Sequence, residues 1–90
     1  MTNEPTQTQT FSAQAHVKAI IVTTLGIPLR EVTDDADLFY DLKADSLEAI
    51  EIMVALEAAF SIEIPDEDLI EKNNVSVKQI IDYIQEKIAT

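Results

Sequence analysis

The chain has 90 residues and a large excess of negative charge, with 17 Asp and Glu against 6 Lys and Arg. Its net charge of −11 repels nucleic-acid phosphates and anionic lipid headgroups, which excludes nucleic acid as a partner and favours basic proteins. A chain of this size forms one small domain without room for a large internal active-site cleft. The lack of cysteine excludes disulfides, thiolate metal sites and cysteine nucleophiles.

The sequence shows no signal for a membrane. No apolar run approaches the roughly 18 residues that a spanning helix needs, and the N-terminus lacks the basic stretch and apolar core of a signal peptide. We therefore expect a cytoplasmic protein without membrane insertion. We also expect a monomer.

The N-terminal region divides into a tail and a helix. Residues 1–11 are polar and rich in Thr and Gln, which predicts a flexible tail before a helical domain over 12–90. Ser12 can cap the first helix, and Gly26 followed by Pro28 can end it. The apolar stripe of this helix consists of Val17, Ile20, Ile21 and Thr24.

A long loop is predicted to follow, over residues 27–43. Loops of this length in small domains are functional or disordered. Scattered apolar residues favour a loop held against the core, namely Leu29, Val32, Leu38, Phe39 and Leu42.

The C-terminal region predicts one short helix and one longer helix. Residues 65–74 begin with Pro65 and predict a short acidic helix. Ser76 and Gln79 predict a capping box for the last helix. Its apolar stripe consists of Val77, Ile80, Ile81, Ile84 and Ile88. The predicted fold is therefore all-α, a small bundle of three main helices plus one short helix, with the long loop between the first two.

The central helix, over residues 46–60, has two apolar stripes. One has the width of a core-facing surface and contains Ala49, Ile52, Met53, Leu56 and Phe60. The other contains Leu47, Ile50 and Val54, between Glu51 and Glu57. Either the long loop or the short helix covers this second stripe, or it is a docking site. Its acidic border favours a docking site for a basic partner.

Ser46 occupies the first position of the central helix. Asp45 at the N-cap and Glu48 three residues later form a variant of the capping box. Ser46 lacks the partners of a hydrolytic nucleophile, since the chain has one histidine, His16, and one glycine, Gly26. No catalytic residue is therefore predicted. A helix N-terminus does favour a phosphate group, so another enzyme could modify Ser46.

Three motifs resemble those of the acyl carrier protein family. They are Asp-Leu-Lys-Ala-Asp-Ser-Leu-Glu at 41–48, Ile-Glu-Ile-Pro-Asp-Glu at 62–67 and Ile-Asp-Tyr-Ile at 81–84. The similarity in element order and spacing extends over about residues 17–84. The combination of Asp-Ser-Leu with the second motif at the family's spacing is specific.

The resemblance implies a 4′-phosphopantetheine arm on Ser46 whose thiol holds acyl groups as thioesters. The implied partners are a phosphopantetheinyl transferase and the acyl-processing enzymes of fatty acid or related biosynthesis, both with basic patches. With Ile50 of the second stripe, the expected partner-binding residues are Asp45, Leu47, Glu48, Ile50, Glu51, Val54 and Glu57. The resemblance further implies an acyl-chain cavity lined by Met53, Leu56 and Ile64.

Two positions depart from the family pattern, and two other functions stay open. Lys43 stands where the family usually has glycine, and Lys72 alters the pattern of the short helix. The alternatives are a peptidyl or aminoacyl carrier, and an adapter that binds proteins without phosphopantetheine. No metal site is predicted, because the acidic segment contains no EF-hand loop with its central glycine.

Overall fold

The computed structural model describes residues 5–65, 68 and 74–89, with side chains from residue 13 onward. In chain order these residues form α1 (Pro5–Leu25), a 3₁₀ turn (Leu29–Glu31), α2 (Ser46–Phe60) and α3 (Val77–Ala89). The described part contains three α-helices and no strand, which confirms the predicted all-α class. None of its helices has both the length and the apolar character that crossing a membrane requires. Most of the short helix predicted after Pro65 lies outside the described residues.

Helix α1 begins earlier than the sequence predicts. It starts at Pro5, so the prediction that Ser12 is its N-cap is wrong. Proline suits the first turn of a helix for two reasons. Its ring fixes φ near the helical value, and the N–H that it lacks would have no hydrogen-bond partner within the helix at this position. The end is as predicted: Gly26 has a φ of 67° and donates its N–H to the Val22 carbonyl at 2.8 Å. The mobility of residues 1–11 stays a prediction.

The loop between α1 and α2 is hydrogen-bonded to the start of α3. The first N–H groups of any helix lack partners within that helix, and here loop carbonyls accept two of them. These bonds, with one that runs in the opposite direction, are Val77 N to Ala36 O (2.9 Å), Lys78 N to Asp34 O (3.0 Å) and Leu38 N to Val75 O (2.8 Å). The loop is therefore fixed to the bundle by its backbone as well as by its apolar side chains.

The core receives side chains from the three helices and from the loop before α2. Its fully buried members include Val17, Ile21, Val32, Leu38, Ile52, Leu56, Ile80 and Ile84. Two predicted core contacts are wrong, because Leu29 is 60% exposed and Ile88 is 49% exposed. The capping box of α3 is confirmed, since Ser76 N donates to Gln79 Oε1 at 2.8 Å and Gln79 N donates to Ser76 Oγ at 3.1 Å.

Candidate functional site

The N-terminus of α2 has the predicted capping box. Asp45 has an extended backbone, and its Oδ1 accepts the Glu48 N–H at 2.8 Å. In return, Glu48 Oε1 accepts the Asp45 N–H at 3.1 Å. Ser46 is the first residue of the helix and is exposed. The cap thus fixes the start of α2 and presents the Ser46 hydroxyl to solvent at the positive end of the helix dipole.

A carboxylate that the sequence analysis overlooked organises the turn before this helix. Asp37 is only 8% exposed, and its Oδ2 accepts the N–H groups of Phe39 at 3.0 Å and Tyr40 at 2.7 Å. Its own N–H donates to Asp41 Oδ2 at 2.7 Å. An Asp whose side chain accepts the amides two and three residues later is typical of a turn. Two aspartates spaced four apart were the signal in the sequence.

The segment from this turn to Ser46 is short and fixed at both ends. Ala44 donates its N–H to the Leu38 carbonyl at 3.1 Å, and both side chains are buried. Between them, Lys43 has a φ of 64°, the left-handed conformation that favours glycine. The glycine usual in the family at this position therefore has a conformational reason, and in this chain a lysine occupies the same conformation. Ser46 lies two residues beyond buried Ala44.

In the described part of the chain, the second apolar stripe of α2 is exposed to solvent. Leu47 is 65% exposed, Ile50 44% and Val54 57%. The interpretation in which the long loop covers the stripe is therefore wrong. Glu51 is exposed beside the stripe, as a docking surface requires.

Glu57, on the other border, has a structural contact. Its Oε2 accepts the Ile64 N–H at 2.8 Å, and the side chain is half-buried. This bond fixes the connector that follows Ser61, where the backbone leaves α2 with a φ of 56°. Glu57 is consequently less available to a partner than Glu51, and its predicted role in docking stays a prediction.

The three residues predicted to line an acyl cavity lie in one apolar cluster. Met53, Leu56 and Ile64 are 3%, 0% and 4% exposed. Two open clefts lined by described residues lie elsewhere. One, of about 210 Å³, is lined by Ala19, Ile20, Thr23, Thr24 and Ala55. The other, of about 350 Å³, is lined by Glu31, Thr33, Asp35, Ala36, Asp41 and Leu42. An acyl chain between the predicted residues would have to separate packed side chains. Lys72 lies outside the described residues.

Comparison with known proteins decides the family. The family model for the phosphopantetheine attachment site matches residues 15–84, which include all of α2. The acyl carrier protein of Guillardia theta is 42% identical over 73 residues, which cover 81% of this chain and 88% of that relative. The chain belongs to the acyl carrier protein family. Its prosthetic group is covalently attached phosphopantetheine, as the resemblance implied.

The residues at the start of α2 fit this group. Ser46 is exposed, so a phosphodiester on its Oγ would extend into solvent without displacing a buried side chain. The capping bonds of Asp45 and Glu48 use backbone N–H groups of those two residues and leave the Ser46 hydroxyl out of the cap.

Proposed function

We propose that the chain holds acyl groups as thioesters on a phosphopantetheine arm attached to Ser46, and presents them to enzymes of fatty acid or related acyl-chain biosynthesis. Among the three serines within the matched residues, the geometry favours Ser46. The Ser76 hydroxyl accepts a capping bond from Gln79, and Ser61 lies at the negative C-terminal end of α2. Ser46 is the serine at an exposed helix N-terminus, and this observation supports the assignment.

Docking is assigned to the exposed face of α2. Leu47, Ile50 and Val54 supply apolar contact area, while Asp45, Glu48 and Glu51 supply negative charge around it. Apolar anchors bury surface on binding, and the charges steer a basic partner toward Ser46. Such contacts weaken as salt increases, so a loaded arm can leave one enzyme and reach the next. Glu57 is placed at the edge of this surface, where the hydrogen bond from Ile64 N limits the contact of its carboxylate with a partner.

Shelter for the acyl chain is assigned to the core beside Met53, Leu56 and Ile64. These side chains are apolar, and they come from α2 and the connector after it. Separating α2 from this connector would open a space beside these apolar side chains, the chemistry that an acyl chain requires. The Glu57–Ile64 hydrogen bond joins the two elements at this place.

The chain is further proposed to act as a carrier without catalytic activity of its own, as a cytoplasmic monomer. Its net charge of −11 makes two copies repel one another. Its partners are the transferase that attaches the arm and the enzymes that process the acyl group.

Loading of the purified apo chain tests the assignment. Incubation with coenzyme A and a phosphopantetheinyl transferase should add the mass of one phosphopantetheine, measured by intact-mass spectrometry. Ser46→Ala should fold normally and gain nothing, whereas the matched control Ser61→Ala should load like the wild type. No gain in the wild type, or a gain in Ser46→Ala, would contradict the proposal. Parallel reactions with acyl and aminoacyl donors then separate acyl cargo from aminoacyl cargo.

A further inference from the structure

An aromatic ring and a cation lie together a few residues before Ser46. Tyr40 is 78% exposed, and Lys43 Nζ lies 5.7 Å from the centre of its ring. Contacts of this kind are attractive, because the face of an aromatic ring is electronegative. Tyr40 and Lys43 therefore form one surface feature, here called the Tyr40–Lys43 pair.

Lys43 is an isolated positive charge in an acidic region. Fourteen of the seventeen acidic residues lie between Glu31 and Glu71, and Lys43 is the one Lys or Arg in that segment. Within the described part of the chain Lys43 makes no ion pair, whereas Lys18 and Lys78 each pair with an aspartate. The ammonium group of Lys43 is thus available to a carboxylate from outside the chain.

The fold explains neither member of the pair. Lys43 has a φ of 64°, a conformation that is strained for an L-residue and much less so for glycine. The turn needs this backbone conformation but not a charged side chain. The ring of Tyr40 contributes little to the core, because most of it faces solvent. Backbone strain retained beside a functional residue is a reason to look for a contact with a partner.

We infer that the Tyr40–Lys43 pair is a specificity-determining contact for the phosphopantetheinyl transferase of this chain, whose otherwise basic docking surface presents a carboxylate to Lys43. The inference rests on the proposed attachment at Ser46. Residue 43 lies three positions before Ser46, so a transferase that reaches the Ser46 hydroxyl also covers Lys43. A transferase with Arg or Lys at this point would be repelled, while one with Asp or Glu would be selected.

Loading kinetics test the sign of this effect. The apo chain and its variants are loaded with coenzyme A by a transferase from the same organism, at low salt. Lys43→Glu should lower kcat/KM about fivefold, mainly through KM, and about 0.5 M salt should remove most of the difference. Arg30→Glu makes the same change of charge at an exposed residue of the 3₁₀ turn, and should have a smaller effect. Tyr40→Ala should also slow loading, whereas Tyr40→Phe keeps the ring and should not.

A docking surface that is basic throughout predicts the opposite sign, because Lys43→Glu would then load faster than the wild type. Faster loading, unchanged loading, or an effect equal to that of Arg30→Glu would overturn the inference. Replacing the responsible carboxylate of the transferase with lysine should restore loading of Lys43→Glu, and failure of every such replacement would also overturn it. Thermal melts of each variant exclude unfolding as the cause. A wild type that is never loaded would contradict the proposed function instead, so the two failures are distinguishable.

Discussion

Replacing Asp37 with alanine should destabilise the fold more than any other loss of a single carboxylate from the loop before α2. The change removes the acceptor of two hydrogen bonds, from Phe39 N at 3.0 Å and from Tyr40 N at 2.7 Å. A side chain that accepts local backbone N–H groups resembles a helix N-cap, whose loss costs about 0.5–2 kcal/mol, and a buried N–H left without an acceptor costs about 1–3 kcal/mol. Because two N–H groups lose their acceptor at a part-buried site, we expect the free energy of unfolding to fall by about 2–3 kcal/mol.

Asp35→Ala is the matched control. Asp35 lies in the same loop and is exposed, so its removal makes the same change of charge without the loss of a buried acceptor. Urea denaturation followed by circular dichroism should place this control within about 0.5 kcal/mol of the wild type. Asp37→Ala should also lower Tm by about 10–20 °C, given about 4–8 °C per kcal/mol for a domain of this size. Equal effects of the two substitutions would refute the role assigned to Asp37.

The same substitution should slow loading at Ser46. The Asp37 turn and the bond from Ala44 N to Leu38 O fix the segment that enters α2. A looser entry leaves the hydroxyl in more positions, so kcat/KM with the transferase should fall even at a temperature where the variant is fully folded. Asp37→Asn keeps an acceptor oxygen without its charge and should lie between the wild type and Asp37→Ala in both assays.

Three other outcomes are expected. Ser61→Gly should stabilise the domain by about 0.5–1 kcal/mol in urea denaturation, because residue 61 has a φ of 56° and glycine avoids that strain, while Ser61→Ala should give no gain. The hydrogen bond of Lys78 to Asp82, and then the charge of that carboxylate, raise the pKa of Lys78. NMR titration should therefore show the pKa of Lys78 falling in Asp82→Asn. The contribution of the pair to the free energy of unfolding should be complete below about pH 10.4, the ordinary Lys pKa, and should be lost as pH rises through the raised pKa. Sodium chloride or magnesium should raise Tm, because a net charge of −11 makes the folded chain repel itself, and a Tm independent of salt would contradict this.

Local signals in the sequence were enough to predict the helix caps and the two faces of α2. The capping boxes at Asp45–Glu48 and Ser76–Gln79 each depend on residues three apart, so no tertiary contact is needed to form them. The two stripes of α2 follow from the helical period alone. The motif around Ser46 then identified the family.

Features that depend on tertiary packing could not be predicted in this way. Leu29 and Ile88 have the right residue type for the core, but the bundle does not extend to them. The burial of Asp37 depends on the loop lying against the start of α3, which no spacing in the sequence specifies. The first helix begins at Pro5, and proline fits the first turn of a helix. The residues after Pro5 are polar, so composition alone predicts a tail there.

Two different kinds of interaction hold the two parts of the site. The start of α2 is held by carboxylates and backbone groups at short distances, through Asp37, Asp45 and Glu48. The region proposed to shelter the acyl chain is held mainly by apolar contacts of Met53, Leu56 and Ile64, with one hydrogen bond from Ile64 N to Glu57 Oε2. Hydrogen bonds are directional and fix geometry, whereas apolar contacts are non-directional and can be exchanged for contacts with an apolar chain. Under the proposed function, cargo would therefore enter the core while the position of Ser46 and the proposed docking face stay the same, as a carrier that serves several enzymes requires.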